Sequence, residues 1–559
     1  MHQNLYPLRQ ILRVPAHTDQ LLSSGFRYVL MIFCLFGLTG ASGPSEKGSE
    51  TELKVGIVQR FGEAATDQLT LQASKGDRLT LRFLGGNLKP QTLQASSVKL
   101  EVQMQSLKEP EVEERLVLGN YRSFETAEYT AQQWQAKGIE VEIAQPDRWQ
   151  VWAKRTVYQT PLLRRLLLQS IQAQGETKAV YLDTRILPQK PQVSWIINGF
   201  RYNREEIDVT AGKRLITVSR GKTDQSPRIY AGKLRLQPNA YGTYTLVNQV
   251  PLETYLRGVV PHEIDSGAPY AANEAQAVLA RTYALRNLRR FAADNYQLCA
   301  DQQCQVYQGL TGTDKEADQA IAATRNQVLT YQNELVDALY SSTTGGVTAP
   351  FEDVWNGSDR PYLKAIVDSA ANIWNLSQRS LSDEANFRQF ISLKQGFNET
   401  GWNSFRWRKE STLTEITEGL KRYLKRTKSS FPDFQTIQKL QILERSSAGR
   451  ILKLAVQTNQ GTFELYKDDI RSAFLAPRST LFYLKPVYAA DKTLKGYAFV
   501  GGGFGHGVGL SQTGAYNLAK QGWTGAQILS FYYPGTQIQP IKESLVLWKN
   551  QTLPTVVQH

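Results

Sequence analysis

The stretch from Arg115 to Asp183 dictates its own order of elements, and few folds can accept that order. "RLVLG" reads as a strand, and Phe124 to Ala136 carries apolar residues at helical spacing through Phe124, Ala127, Ala131 and Trp134, closed by Gly138. The alternating runs "IEVEIA" and "WQVWAKR" flank the Gln145-Pro146-Asp147 turn as a hairpin. "TPLLRRLLLQSIQAQG" then opens with Thr160 as N-cap and Pro161 at the first helical position, and "KAVYLD" supplies a last strand. The order β-α-β-β-α-β predicts a ferredoxin-like split unit over residues 111–185.

The flanks read differently. Val55 to Gln105 holds alternating runs such as "LTLRFLGG" and "VKLEVQMQ", with turns at Gly76-Asp77 and Gly85-Gly86, which predicts a separate β-rich module over residues 50–110. From Val193 to Val250, "LITVSR", "GKLRLQP" and "GTYTLVNQV" again read as sheet, opening a larger domain expected over 190–545. A helix is expected from Pro251, with Leu252, Tyr255, Leu256 and Val259 on one face; Pro261 disfavours its continuation, so Glu263 falls just past a helix end. A long alanine-rich helix follows over 271–292, packed through Ala275, Val278, Thr282, Leu285 and Leu288, with Arg281 on a neighbouring face directed toward the Glu263 loop. Residues 371–440 read as a mostly helical insertion whose basic "KRYLKRTK" is a solvated face or a wall contact. The fold class is α+β, in several domains.

At 559 residues the chain has room for about three or four folding units, and 41% apolar against 21% charged residues excludes wholesale disorder. Lys and Arg number 65 against 51 Asp and Glu, a net +14 that favours polyanionic partners. Arg9, Arg13 and Arg27 precede the apolar run Tyr28 to Leu38, followed by Gly40, Ala41 and Ser42. That is the layout of an export signal over residues 1–41, and the run is short of the roughly 20 residues that cross a bilayer comfortably. The expected location is the periplasm or cell wall, with an uncleaved, tilted anchor left open. An exported protein meets acidic wall polymers rather than nucleic acid. Cys299 and Cys304 are the mature cysteines, spaced C-x4-C, and read as a disulfide or free thiols in preference to a metal site, since zinc needs about two more ligands and no histidine is near in sequence. His262 reaches them only through the fold.

Candidate chemistry centres on one carboxyl. Cleaving a glycoside needs an acid that protonates the leaving oxygen, and apolar neighbours raise a carboxyl pKa toward neutrality; Val259, Val260 and Ile264 offer such neighbours to Glu263. Asp265 is the nearest second carboxylate of the kind most glycosidases use. In "YSSTTGG", Ser341, Ser342 and Thr343 provide hydroxyls and Gly345 and Gly346 allow close backbone approach, suited to sugar recognition or equally to a tight turn. The run Gly503 to Gly509 fits no G-x-G-x-x-G register and lacks a strand-helix-strand setting, so no dinucleotide cofactor is expected. Its alternating glycines let extended backbone pass close to another chain or ligand, with Ser511 capping the next helix and Thr524 with Gln527 forming a capping box. His506 and Gln512 read as lining a cleft; a histidine bonded to backbone is the equal alternative for His506. Trp402, Trp407, Tyr532 and Tyr533 suit core packing or sugar stacking.

Two resemblances connect these residues. "LGNYRSFETAEYTAQQWQAKGIEVEI" with "WQVWAKR" resembles the SPOR (sporulation-related repeat) domain, which implies binding of peptidoglycan glycan strands by residues 111–185. "VPLETYLRGVVPHEI", "NEAQAVLARTYALRN", "CQVYQG", "LYSSTTGGVTAPFEDVW" with "PYLKAIVD", "SSAGRILKLAV" with "DDIRSAFLAPRSTLF", and "GFGHGVGLSQTGAYNLAKQGW" running on to "ILSFYYPGT" occur in the order of the SpoIID/LytB (stage II sporulation protein D) family, which they resemble. The resemblance implies a lytic transglycosylase that breaks the β-1,4 bond between N-acetylmuramic acid and N-acetylglucosamine without water, on glycan stripped of stem peptides, leaving a 1,6-anhydro end. It assigns the family's essential glutamate to Glu263 and its arginine to Arg281; separately, no cofactor and no metal site are expected. The LytB branch implies instead a glycan-binding enhancer of a cell-wall amidase. "EIDSG" departs from the apolar residue and proline that usually follow the family's glutamate.

Overall fold

Period-two burial builds the first half of the chain, as the alternating runs require. The computed structural model describes residues 51–175, 180–221, 226–265, 267–429 and 431–548, so the export signal expected over 1–41 lies outside the described residues. β1 (Glu52–Phe61), β2 (Gln68–Ala73), β3 (Leu79–Leu84) and β4 (Pro90–Ala95) lead into β5 (Ser97–Tyr121), which is 25 residues long. In β2 and β3 alternate residues Leu69, Leu71, Leu79 and Leu81 are buried.

Then comes the split unit: α1 (Phe124–Ala136), β6 (Val141–Ala144), β7 (Trp149–Ala153), α2 (Pro161–Ala173) and β8 (Tyr181–Ile197). Its strands lie in the antiparallel order β8-β5-β7-β6. The Ser123 hydroxyl accepts from the Thr126 amide to start α1, which buries Phe124, Ala127, Ala131 and Trp134 at the spacing read from sequence. Thr160 caps α2 through the Leu163 amide, but α2 buries only Ile171 and leaves Leu162, Leu163 and Leu166 exposed.

β9 (Phe200–Asn203), β10 (Ile207–Ala211), β11 (Leu215–Arg220), β12 (Arg228–Ala231), β13 (Lys233–Pro238) and β14 (Tyr244–Pro251) return to the first four strands. β1 pairs along β14 from Glu52↔Pro251 to Phe61↔Tyr244, β2 pairs with β11, and β3 with β10. Residues 50–110 are therefore woven into the start of the larger domain and are not a module of their own. Alternation fixes which face of a strand is buried but carries no information about its partner. The ribbon of β5 and β8, paired from Leu100↔Trp195 to Val117↔Tyr181, carries the split unit out of this two-sheet body.

β14 runs directly into α3 (Leu252–Arg257), α4 (Val260–Glu263) and α5 (Tyr270–Arg286). Pro261 opens the short turn α4 instead of ending a helix, because a proline in a first turn has no amide to leave unpaired. α5 stops at Arg286, short of 292, and from Ala275 to Arg286 every residue is buried, not merely one stripe. The alanines explain it: small side chains let β15 (Leu298–Cys299), α6 (Lys315–Ala323), β16 (Gln327–Tyr331), β17 (Glu334–Leu335) and β18 (Tyr340–Ser341) gather around one central helix. β15 adds to the edge of the sheet beside β1.

The rest is an excursion. The chain leaves at β18 and forms α7 (Glu384–Ser392), β19 (Arg406–Thr412), α8 (Leu413–Arg426), β20 (Ile437–Arg445), β21 (Ile451–Thr458), β22 (Gly461–Tyr466), α9 (Asp469–Ala473), β23 (Phe482–Tyr488) and β24 (Leu494–Gly502). It returns at β25 (Leu510–Ser511), α10 (Gln512–Lys520), α11 (Gly525–Tyr532) and β26 (Gln537–Pro540). β25 lies parallel to β18, Tyr340 against Leu510 and Ser341 against Ser511. Residues 371–440 are thus not a helical insertion; they include β19, which pairs along β24, and belong to a larger mixed unit with apolar cores around Leu420 and Phe390. Lys425 and Arg426 of the basic run are exposed. Helices account for 23% and strands for 37%, an α+β architecture.

Candidate active site

Four of the sequence words meet around Glu263. It is the last residue of α4, half-buried, beneath the buried side chains of Val259, Val260 and Ile264. Oε1 accepts from the Val306 amide at 2.6 Å, and the Gln512 side chain, first residue of α10, donates to Oε2 at 3.4 Å. The Tyr340 phenol lies beside this carboxyl and works weakly against its protonation. Behind it, Gln305 donates to the Tyr340 oxygen at 3.1 Å and accepts from the Tyr255 hydroxyl at 3.1 Å. Burial pushes both phenols up, so they remain protonated.

Burial also dominates at Glu263. Loss of water raises the carboxyl to about 7, against the lowering effect of the Val306 amide, then Gln512, then Tyr340. A group with that value is close to half protonated at neutral pH, the condition under which one carboxyl both gives and takes a proton. Because Oε1 is held by the amide, Oε2 is the oxygen with room for the proton. Asp265 is exposed with φ +84°, on the outside of the turn rather than in this buried group.

Arg281 is elsewhere. Its guanidinium is fully buried and pairs with Glu253 through two hydrogen bonds of 2.8 and 2.7 Å, and it also donates to the carbonyls of Gln327 at 3.0 Å, Ile321 at 3.3 Å and Ala277 at 3.5 Å. α3 lies between α5 and the sheet, so the arginine face of α5 meets Glu253 and not Glu263. The expectation that Arg281 holds the catalytic carboxyl is corrected: it ties α3 to α5.

The "YSSTTGG" loop is likewise pinned from inside. Glu399, fully buried, accepts from the amides of Thr344, Gly345 and Gly346 and from the hydroxyls of Thr344 and Ser511. The Gly345 and Gly346 amides are therefore spent on a protein carboxylate, not on sugar. Gly345 has φ +78°, and a Cβ there would lie 2.6 Å from the Gly502 carbonyl carbon, so the loop needs glycine to lie against the 501–509 run. Asp368 adjoins Glu399 and accepts from Tyr532 and Asn398 at 2.7 and 2.9 Å; burial and the neighbouring acid push it up strongly, so the pair holds a proton on Asp368. Of the expected sugar hydroxyls, those of Ser341 and Thr343 are buried without a partner, and Ser342 is partly exposed, its carbonyl accepting from the Thr513 amide.

His506 resolves toward the backbone alternative. Nδ1 accepts from the Val508 amide at 3.0 Å, and the ring lies 5.0 Å from that of Trp355. Burial first, then the Arg471 charge, pulls its pKa down to about 4. It is a neutral strut that braces the glycine run at Val508 against Trp355. Gly507 packs on the buried Arg450, whose Nη2 donates to the Thr344 and Val347 carbonyls at 2.7 and 2.9 Å. Trp407, Tyr532 and Tyr533 are core residues, while Trp402 is exposed and meets Tyr516 edge-on.

Gln305, Val306 and Tyr340 lie inside words read in the sequence yet were not singled out, and the signal was available: each adjoins a quoted motif. Glu399, in "FNETGW", has no local signal at all. Cys299 and Cys304 form a disulfide, Cα atoms 5.6 Å apart, which closes the loop just before Gln305 and Val306.

Residues 240–331 match the family model described as stage II sporulation protein, and residues 349–509 match one described as a domain of unknown function (DUF8618), nearly the span of the excursion between β18 and β25. The chain is 29% identical over 300 residues to the amidase enhancer of Bacillus subtilis, covering 51% of this chain and 40% of that protein. It is 27% identical over 331 residues to the stage II sporulation protein D of Bacillus subtilis, covering 55% of this chain and 81% of that one, and 28% identical over 319 residues to an uncharacterized protein of Brachyspira hyodysenteriae. The alignment thus spans less than half the length of the amidase enhancer. With the Glu263, Tyr340 and Gln512 segments meeting as its words require, the chain carries a domain of the stage II sporulation protein D (SpoIID/LytB) family.

Proposed function

We propose that this protein is an exported peptidoglycan lytic transglycosylase acting on the β-1,4 bond between N-acetylmuramic acid and N-acetylglucosamine, with Glu263 as sole acid and base. The observation that carries it is a half-buried carboxyl raised to about 7, held at 2.6 Å on Oε1 by the Val306 amide and met on Oε2 only by the long 3.4 Å contact from Gln512. Protonated Oε2 gives its proton to the bridging oxygen as the bond to the muramic anomeric carbon breaks. The carboxylate then takes the proton of that sugar's 6-hydroxyl, whose oxygen closes on the anomeric carbon. Atoms balance without water: one glycosidic bond breaks, one 1,6-anhydro bond forms, and Glu263 ends protonated as it began. Gln512 and Tyr340 orient the carboxyl.

The split unit over 111–185 is read as a SPOR-type glycan-binding domain, supported by its β8-β5-β7-β6 strand order, with glycan stripped of stem peptides as partner. A second reading rests on the likeness to an amidase enhancer: binding glycan and stimulating a cell-wall amidase without cutting. Digesting purified glycan strands and looking for anhydro-muramic ends by mass spectrometry separates the two. Anhydro ends that vanish in Glu263→Gln support the cutting enzyme; intact strands with stimulation of an added amidase support the enhancer.

A further inference from the structure

α10 leaves the candidate active site end-on. Its first residue, Gln512, donates to Glu263 at 3.4 Å, and Tyr516 and Lys520 follow on the same helix face, one and two turns farther out. Each turn advances about 5–6 Å, of the order of one sugar ring. Gln512 and Tyr516 are half-buried and Lys520 is exposed, its ammonium 4.7 Å from the centre of the Tyr516 ring. Trp402 meets that ring edge-on, with centroids 6.1 Å apart and planes at 75°.

Packing does not explain Trp402. It comes from the excursion between β18 and β25, where its sequence neighbours Phe397 and Phe405 are buried in an apolar core that does not take it in, and it stays 42% exposed. Trp374 and Trp407 of the same excursion give their indole N–H groups to the Arg379 and Gly503 carbonyls, whereas that of Trp402 has no acceptor among the described residues. The ring nevertheless sits on a fixed mount. The Trp402 amide donates to the Glu399 carbonyl at 3.3 Å, and the Phe405 amide donates to the Trp402 carbonyl at 3.0 Å. Two bonds fasten this turn to α10: the Ser511 hydroxyl donates to the buried Glu399 carboxylate at 2.6 Å, and the Asn517 side chain donates to the Asn398 carbonyl at 2.7 Å. A rigidly held, exposed indole presents a flat apolar face beside a hydrogen-bond donor. That complements a pyranose ring, whose C–H face is apolar and whose rim is hydroxyl.

We infer that the excursion contributes a sugar-stacking subsite, built from Trp402 against Tyr516, which binds a glycan residue one or two rings beyond the bond at Glu263. This rests on the reading of Glu263 as acting on glycan. The link between the two places is α10 itself, which carries Gln512 at the acid and Tyr516 at the platform. Trp402 touches no reacting atom; it is a binding residue that lengthens the grip on the strand.

The test uses the full chain carrying Glu263→Gln, so that nothing is cut, and a bare octasaccharide of alternating N-acetylglucosamine and N-acetylmuramic acid. In calorimetric titration Trp402→Ala is expected to bind it about tenfold more weakly. Trp402→Phe, which keeps a stacking face, is expected to recover most of that loss, as a mere packing defect would not predict. The direct readout is fluorine NMR of protein labelled with 5-fluorotryptophan: the signal missing from Trp402→Phe belongs to Trp402 and is expected to shift as the octasaccharide saturates. Octasaccharide that binds Trp402→Ala as tightly as the parent, or that binds and leaves the Trp402 signal unmoved, overturns the subsite while leaving the reading of Glu263 intact. Octasaccharide that fails to bind the parent removes both.

Discussion

Glu263 is a half-buried acid and Glu399 a fully buried one, and their surroundings are opposite. Glu399 has five donors and Glu263 has one short amide contact, with Gln512 distant and Tyr340 beside it. Five donors need the two acceptor oxygens of a carboxylate, and glutamine sets an NH2 against some of them, so Glu399→Gln is expected to lower stability by about 2–4 kcal/mol in urea unfolding, through stranded amides of the 344–346 loop. Arg281→Ala leaves Glu253 buried and unpaired and is expected to cost about 3–5 kcal/mol, with any loss of activity following the folded fraction rather than exceeding it. If Arg281→Ala folds normally and is inactive, its assignment to structure is wrong. His506, held near 4 in the folded chain against an ordinary 6.5, binds protons more readily when unfolded; stability from this group is present above pH 6.5 and is lost as pH falls toward 4. At this scale the sequence pointed to Glu263 and Gln512 because motifs mark them. It misdirected Arg281, whose target depends on how α3 packs, and it was silent on Glu399, whose donors come from segments far away in sequence.

Elements were legible where local chemistry decides them. Thr160, Ser511 and Thr524 cap the helices their hydroxyls announce, and the helical spacing of α1 is its buried face. α5 was legible as a helix but not as a central one, since alanine spacing looks alike on a stripe and on a fully enclosed rod. Pairing was illegible: nothing in "LKVGIVQRF" says that β1 lies along β14. The disulfide loop is an element whose value is positional. Closing so few residues is worth only about 2 kcal/mol, yet the loop feeds directly into Gln305 and Val306. Cys299→Ser with Cys304→Ser is therefore expected to shift the melting temperature by only a few degrees and to reduce turnover by about tenfold or more, because the Val306 amide loses its fixed place against Glu263. Unchanged turnover would show that the loop holds its shape without the bond.

Over the whole molecule, the α5-centred body and the return of the chain at β25 bring residues 263, 306, 340 and 512 to one point, while the β5 and β8 ribbon carries the split unit. The net +14 spread over that surface predicts that retention on purified cell-wall sacculi falls as salt rises from about 0.05 to 0.5 M, where charge screening shortens to a few ångström; salt-independent retention would point to contacts with neutral sugar alone. Burial of Glu263 carries a further signature: its folded value near 7 exceeds the ordinary 4.5, so the folded chain binds the extra proton between those limits and stability falls as pH rises through them. Glu263→Gln is thus expected to stabilise the fold by about 2 kcal/mol at pH 8 and by little at pH 4. The measurement that bears most directly on function is the rate of anhydro-muramic end formation from bare glycan strands between pH 5 and 9. A bell centred near pH 7, absent in Glu263→Gln protein that is still folded, is the expected result; anhydro ends produced at an undiminished rate by that variant would contradict the assignment of Glu263 as acid and base.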